Sequence, residues 1–234
     1  MNLEFWKNWL GVELSAVSPK EKALSALGGL ISILITTLLS IQALHTPAAI
    51  GVIASMGASA VLLFAVPHGQ LSQPWPVIAG HGFSALIGVL CAKWIHPPEL
   101  AAACAVGLAI AAMHQFKCIH PPGGATALTA VLGSQSIHEM GFRFVLFPVL
   151  TNALTMVAIA VLFNAAFQWR RYPAFFNHPK PPPATAAPED SEPSHEAIVK
   201  ALRSLDSFVD VTEDDLIRLV KILGHHEASR NRRE

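Results

Sequence analysis

The chain has 234 residues, of which 52% are hydrophobic and only 14% are charged, and its formal net charge is zero. With a mean hydropathy of +0.45, this composition is typical of a polytopic membrane protein and argues against a soluble domain. The balanced charge also argues against a nucleic-acid partner, so the lipid bilayer is the expected one.

The charged residues are unevenly distributed along the chain. From residue 23 to residue 168 the Asp, Glu, Lys and Arg residues are Lys93, Glu99, Lys117, Glu139 and Arg143. Before this region, residues 1–19 contain two tryptophans, Trp6 and Trp9, and such side chains favour the headgroup level of a bilayer. We therefore predict an N-terminal interfacial segment over residues 1–19.

Six apolar segments follow and predict a transmembrane domain over residues 20–171. In chain order they are Ala23–Leu44, Ala48–Val66, Val77–Trp94, Leu100–Met113, Ala125–Leu132 and Phe142–Phe167. A helix rises about 1.5 Å per residue and must cover roughly 30 Å of hydrocarbon. The segment Ala125–Leu132 is too short to span alone as a straight helix, which indicates a broken or half helix.

Basic residues flank the apolar region on both sides. Lys20 and Lys22 precede it, and Arg170, Arg171 and Lys180 follow it. Positive charge favours the cytoplasmic side, so we expect a multi-pass protein of the cell inner membrane with both termini in the cytoplasm. Six short elements give little shielding, and a homo-oligomer is compatible with this pattern.

The C-terminal part has a different composition. Residues 172–193 are rich in Pro and Ala and predict an extended linker. Residues 194–234 contain two stretches of helical periodicity, and Thr212 with Asp215 matches a variant of the capping box. A small cytoplasmic helical tail is therefore expected.

The segment from His120 to Thr126 interrupts the apolar pattern with the sequence HPPGGAT. Two prolines remove backbone donors and two glycines permit close approach of another chain or a ligand. Non-helical backbone inside a bilayer is tolerated where protein buries it or where it lines a polar cavity. The break is therefore a candidate binding site.

A short internal repeat relates this break to an earlier segment. Met56–Val61 and Gly123–Leu128 both contain Gly-Ala-hydroxyl-Ala-aliphatic. The repeat predicts an all-α fold of two inverted three-helix units, in which opposed helix N-termini present amide hydrogens to an anion near the midplane. The alternative is that the small residues serve close helix packing.

The candidate substrate-binding residues follow from these two segments and their neighbours. They are Ser55, Met56, Gly57, Ala58, Ser59, His120, Pro121, Pro122, Gly123, Gly124, Ala125 and Thr126, with His81 and Lys117 in support. The two histidines can donate to an anion or shuttle a proton, whereas His120 can instead bond carbonyls freed by the prolines. The lysine can steer anions or simply snorkel.

The run His120–Leu128 closely resembles the signature of the HPP family of integral membrane proteins. The run Gly57–Phe64, with Pro67, Gln73-Pro74 and Gly80-His81, is also similar to that family, and the resemblance covers residues 20–167. Plant members are regarded as nitrite transporters of the plastid envelope, so the resemblance implies nitrite transport. Some bacterial members carry C-terminal CBS domains, but the tail after Pro193 is too short for a CBS pair.

The resulting hypothesis is transport of a small inorganic monovalent anion, with nitrite favoured by the resemblance. One alternative is a membrane-bound anion sensor that signals through the C-terminal tail, and another is a histidine-based membrane metalloenzyme. The zinc-protease pattern fails because Phe142 stands four residues after His138. We accordingly expect no enzymatic activity, no catalytic residues, no metal and no cofactor.

Overall fold

A computed structural model describes Trp6, Trp9, Leu10 and residues 17–44 and 48–176. The chain divides into two units, residues 1–22 with 180–234, and residues 23–179. In the first unit, the rings of Trp6 and Trp9 meet edge to face with centroids 5.6 Å apart. The predicted helical tail and the linker beyond residue 176 lie outside the described residues.

The described part of the chain is helical and contains no strand. Its α-helices are α1 (Pro19–Leu44), α2 (Ala48–Ala65), α3 (Pro74–Trp94), α4 (Pro98–Gln115), α5 (Pro122–Leu132), α6 (Gln135–Met140) and α7 (Thr151–Ala165). Short 3-10 turns occupy Gln70–Ser72, Gln168–Arg170 and Ala174–Phe176, and a π-type segment occupies Val145–Leu150. Four helices, α1, α3, α4 and α5, begin at a proline, where the missing N–H has no helical partner to lose.

Three described helices are long and apolar enough to cross a membrane. They are Pro19–Gln42, Pro74–Trp94 and Val145–Ala165, and Ala54–Ala65 and Pro122–Leu132 are shorter apolar helices. The prediction of an all-α membrane fold is confirmed. The six crossings and the inverted repeat stay predictions.

Helix α1 carries apolar side chains on its exposed side and hydroxyl side chains on its buried side, the opposite of a helix in a soluble protein. Its exposed side includes the large apolar residues Leu27, Leu30, Leu34 and Leu38, while its buried positions include Ser32, Thr36 and Ser40. Water would oppose this arrangement, whereas lipid favours apolar side chains outside and small or hydroxyl residues between helices. The pattern is that of a helix in a bilayer.

Helix α3 packs against both α4 and α5 and lies at the centre of the domain. Its side toward α5 carries Gly88, where an added Cβ would meet the carbonyl oxygen of Ala127 at 2.7 Å and the Cβ of Ala130 at 2.7 Å. Because one neighbour is backbone, a larger side chain would separate the two helices. Glycine therefore sets the distance between α3 and α5.

The predicted helix start near Gly57 is wrong. Helix α2 runs without interruption from Ala48 to Ala65, so Gly57 and Ser59 lie inside it. The Ser59 hydroxyl lies within 3.3 Å of the Ser55 carbonyl, a contact compatible with continuous helix. The similarity between Met56–Val61 and Gly123–Leu128 is therefore not a similarity of two helix N-termini.

The last predicted segment, Phe142–Phe167, is not one continuous helix. Phe147 has extended backbone, with φ −140° and ψ 121°, and Pro148 follows it. Proline disfavours the helical region for the preceding residue, so the break was readable from Pro148. The regular helix α7 begins only at Thr151.

Candidate functional site

Four polar side chains, from α2, α3, α5 and the turn before α5, meet inside the domain. Ser59 lies in α2, His81 in α3, His120 in the turn before α5, and Thr126 in α5. All four are buried, each with an exposed fraction of 1% or less. We refer to these four residues as the histidine cluster.

Short distances connect the histidine cluster into one chain. Ser59 Oγ lies 2.8 Å from Nε2 of His81 and 2.8 Å from Nε2 of His120. On the far side of the first ring, His81 Nδ1 lies 2.7 Å from Thr126 Oγ1. On the far side of the second ring, His120 Nδ1 lies 2.8 Å from the carbonyl oxygen of Leu71.

The Leu71 carbonyl determines where the protons of neutral rings must be. A carbonyl only accepts, so His120 Nδ1 carries the hydrogen and its Nε2 accepts from the Ser59 hydroxyl. Ser59 Oγ has then used its hydrogen and accepts from His81 Nε2. His81 Nδ1 is consequently bare and accepts from the Thr126 hydroxyl. One tautomer of each ring satisfies all four short contacts.

Glycine brings the turn with His120 close to α3. An added Cβ at Gly80 would lie 2.7 Å from the His120 Cβ and 3.0 Å from the Cys118 carbonyl oxygen. An added Cβ at Gly123 would lie 3.0 Å from the Gly80 carbonyl oxygen. Both positions require the smallest residue, because backbone atoms occupy the space that a side chain would need.

The predicted anion site made of opposed helix N-termini is wrong in its donors. Gly123 N–H donates to the His120 carbonyl at 2.8 Å, and Gly124 N–H donates to the Pro121 carbonyl at 3.0 Å. These bonds use the amides within the turn, and α2 presents no helix start opposite them. Imidazoles and hydroxyls, rather than these amides, form the polar centre.

The other predicted site residues are divided between the interior and the surface. Ser55, Met56 and Pro122 are buried, Gly57 and Gly124 are half-buried, and Ala58, Pro121, Ala125 and Lys117 are exposed. Added Cβ atoms at Gly57 and Gly124 would meet nothing within 4 Å. These two glycines therefore do not allow a close contact with another described part of the chain.

Ser84 is a buried residue near the cluster that the sequence did not single out. Its Oγ is buried without a hydrogen-bond partner among the described residues. It lies 2.7 Å from the position of a Cβ added at Gly123. Its spacing of three residues after His81 on one helix was the available sequence signal.

A second polar group lies at the end of the helical domain. The Arg170 guanidinium donates to the Phe64 carbonyl at 2.6 Å, to Asn164 Oδ1 at 3.1 Å and to Ser25 Oγ at 3.3 Å. The sequence indicated a flanking charge here, yet Arg170 is only 1% exposed. It connects α1, α2 and α7, and it satisfies a carbonyl near the C-terminus of α2.

Tyr172, at the start of the predicted linker, is also buried. Its hydroxyl donates to the Ser72 carbonyl at 2.8 Å, and burial raises the pKa of the phenol.

Asn152 connects α7 to α1, since its Oδ1 accepts a hydrogen bond from Ser40 Oγ at 3.0 Å.

Among the residues that the structure describes, no three His, Cys, Asp or Glu side chains are grouped so that they could hold a metal ion. The metalloenzyme alternative therefore has no support from this part of the chain. The sensor alternative depends on the tail beyond residue 176, which lies outside the described residues.

The chain is similar to known transmembrane proteins over most of its length. A family model described as "HPP, transmembrane region" matches residues 14–173. Two transmembrane proteins of Dictyostelium discoideum are 37% identical over 180 residues and 34% identical over 182 residues, each covering 74% of this chain. The chain spans 58% and 64% of the length of these curated relatives. No solved structure matches.

Proposed function

Because the chain belongs to the HPP family of transmembrane proteins, we propose that it carries a small monovalent anion, with nitrite favoured, through a site at the histidine cluster. Family membership is consistent with transport of some kind. The finer assignment rests on the chemistry of the buried side chains. Ionisable residues among membrane helices commonly mark the path of a substrate or a proton.

The observation that carries the proposal is the unbroken contact from Thr126 through both imidazoles to Leu71, with every donor and acceptor buried. Four polar side chains cost more to bury than an apolar core of the same size would. Such a cluster is expected where a function requires it, since α3 and α5 already pack through Gly88 and Ala127.

Nitrite accepts hydrogen bonds at its oxygens and its nitrogen, and the cluster contains matching donors. The Ser84 hydroxyl is buried without a partner among the described residues and can donate to the anion directly. The hydroxyls of Ser59 and Thr126 and the ring N–H groups can donate when the anion replaces one of their present partners. The charged side chains of the neighbouring helices and turns, Lys93, Glu99 and Lys117, are exposed. Neutral donors bind an anion weakly enough for it to leave, which transport requires.

Anion flux into proteoliposomes tests the proposal. We expect nitrite uptake above that of empty liposomes, measured by stopped flow with an enclosed fluorescent reporter, with nitrate, formate and chloride run in parallel. No flux above empty liposomes for any of these four anions would remove the proposal. Flux of another anion in preference to nitrite would keep transport and remove nitrite.

Two matched variants assign the flux to the cluster. Thr126→Val removes the buried hydroxyl with little change of shape, and Thr129→Val makes the same change one helical turn later, where the hydroxyl bonds the Ala125 carbonyl of its own helix at 2.8 Å. We expect flux to fall at least tenfold in the first variant and less than twofold in the second. Equal flux in both would place the pathway elsewhere.

The proposed setting is a multi-pass protein of the inner membrane with cytoplasmic termini, and a homo-oligomer is compatible with it. Lys20, Lys22, Arg171 and Lys180 support this orientation, whereas Arg170 is buried and bonded within the helical domain. Cysteine labelling of an Arg171→Cys variant from each side of intact vesicles tests the orientation. Labelling only from the side that faces away from the cytoplasm would reverse the proposed orientation.

A further inference from the structure

We propose that the histidine cluster stores and relays one proton, so that each anion crosses together with one proton and no net charge moves. This inference rests on the proposed function, since it specifies how the same site is driven. It follows from the geometry of five groups in series, from Thr126 to the Leu71 carbonyl. No heavy atom has to move for the proton to pass.

In the neutral state all hydrogen bonds run in one direction. Thr126 O–H donates to His81 Nδ1, His81 Nε2–H donates to Ser59 Oγ, and Ser59 O–H donates to His120 Nε2. His120 Nδ1–H then donates to Leu71, which ends the chain at 2.8 Å. A hydrogen-bonded series of hydroxyls and imidazoles with one direction is able to shift protons along its length.

One added proton reverses the series. A proton from hydronium, or from the acid form of the anion, bonds to Thr126 Oγ1, and the former hydroxyl proton moves to His81 Nδ1. The Nε2 proton of His81 moves to Ser59 Oγ, and the former Ser59 proton moves to His120 Nε2. His120 becomes an imidazolium that keeps its bond to Leu71. One proton has entered, and one positive charge has appeared at His120. Because the Leu71 carbonyl only accepts a hydrogen bond, the proton leaves by the reverse steps through Ser59, His81 and Thr126, to water or to the departing anion.

The reversed state also has an acceptor for every donor. The new Thr126 hydroxyl has the Pro122 carbonyl at 3.4 Å, and His81 Nδ1–H now donates to Thr126 Oγ1. Ser59 O–H faces the bare Nε2 of His81 and has the Ser55 carbonyl at 3.3 Å as a second acceptor. Two such states, both satisfied, are what a relay needs, whereas a purely structural cluster needs only one.

The capacity of the cluster is one proton. The two imidazole rings are 4.9 Å apart between centroids, so a second positive charge would face the first at close range. Among the described residues that contact the rings, the titratable group that faces each ring is the other imidazole. The Thr126 hydroxyl of α5 and the Leu71 carbonyl, in the turn before α3, are uncharged. Ser59 is the facing group from α2 and carries no charge.

An imidazolium and a monovalent anion together are neutral. A neutral pair is far cheaper to hold among apolar helices than either ion alone. The added proton also supplies the positive charge that a cluster of neutral donors lacks. Protonation and anion binding should therefore favour each other by the same factor, as linkage requires.

The test separates the pH gradient from the membrane potential. Full-length protein in proteoliposomes is given either a pH gradient with the potential clamped to zero by potassium and valinomycin, or a potential without a pH gradient. Nitrate is measured beside nitrite, because the acid form of nitrite crosses lipid without a protein. The flux into empty liposomes is subtracted for both anions. An enclosed pH dye records protons while the anion is measured.

We expect the rate of anion uptake to rise with the pH gradient and to be independent of the membrane potential. One proton should enter with each anion. Ser59→Ala interrupts the series and should lower uptake driven by the pH gradient at least tenfold, whereas Ser59→Thr keeps the hydroxyl and should retain it. Uptake that follows the potential and ignores the pH gradient would overturn the relay but leave anion transport standing. No anion flux under either gradient would instead overturn the proposed function.

If the Ser59 substitutions do not fold, Thr126→Val and Thr129→Val decide the matter. A proton-to-anion ratio that falls in the first variant and not in the second supports the relay. An unchanged ratio in both variants overturns it.

Discussion

The Ser59 hydroxyl oxygen lies 2.8 Å from Nε2 of His120, although 61 positions separate the two residues in sequence. This contact ties the interior of α2 to the turn that begins the HPPGG segment. The same oxygen lies 2.8 Å from Nε2 of His81 on α3. A single hydroxyl thus joins three parts of the fold, and its loss should affect stability as well as transport.

Ser59→Ala should lower the free energy of unfolding by about 2 kcal/mol or more, because both imidazole Nε2 atoms would lose a buried partner and each unsatisfied polar atom costs about 1–3 kcal/mol. Thermal unfolding in detergent measures the change. Ser84→Ala is the stability control, since the Ser84 hydroxyl is buried without a partner. Equal destabilisation by both substitutions would show that the Ser59 contacts contribute nothing.

Gly88→Ala should destabilise the domain by about 1–3 kcal/mol, the usual cost of overpacking a core. The added methyl would lie 2.7 Å from the Ala127 carbonyl oxygen, which cannot move without shifting α5. Gly107→Ala is the matched control, because nothing lies within 4 Å of its added Cβ. This control should stabilise the helix by about 0.5–1 kcal/mol. If denaturant unfolding gave Gly88→Ala the same sign, the close approach of α3 and α5 would be wrong.

Arg170→Lys should destabilise the domain by about 1–3 kcal/mol, since a lysine cannot reach three acceptors at once and hydrogen bonds to charged groups are strong. The acceptors are Phe64, Asn164 and Ser25. Arg171→Lys changes the exposed neighbour and should leave the unfolding temperature unaltered. A similar loss in both variants would point to a general effect of basic residues in this segment.

Tyr172 should keep its proton in the folded protein above pH of about 10, where an unfolded tyrosine ionises. Burial raises the pKa of the phenol in the folded state, so the stability that the neutral phenol contributes is present below pH of about 10 and is lost as pH rises further. Tyr172 is the only tyrosine in the chain, and tyrosinate absorbance therefore reports it alone.

A pH titration of tyrosinate absorbance, with helicity followed by circular dichroism, checks this expectation. The absorbance should rise only together with the loss of helical signal. Tyr172→Phe provides the control and should lack the corresponding fall in stability at alkaline pH. Ionisation near pH of about 10 with full helicity would contradict burial of the phenol.

Much of the candidate site could be read from the sequence. His120, Thr126, Ser59 and His81 were all among the predicted residues, because a break in an apolar run and paired hydroxyls are local signals. Their roles could not be read in the same way. Ser59 was expected at a helix N-terminus, whereas α2 continues from Ala48 to Ala65. Small residues are equally compatible with a helix start and with a helix interior.

Other features depended on contacts that composition does not encode. The Leu71 carbonyl has no side-chain signal, yet it determines the tautomers of both imidazoles. Arg170 resembles any flanking basic residue until its carbonyl and amide partners are seen. The break at Phe147 is different, because it can be predicted from the sequence: Pro148 disfavours helical backbone at the residue before it.

The sequence by itself determined the all-α membrane fold and the ends of several helices, such as Leu44, Trp94 and Leu132, because the length of an apolar run acts locally along the chain. Only the tertiary structure decided that hydroxyls and imidazoles from Ser59, His81, His120 and Thr126 meet at hydrogen-bond distance. That outcome depends on how closely α2, α3 and α5 approach one another. Between α3 and the α5 region, the approach is set by glycines whose partners lie about 40 positions away, as Gly80 and His120 do.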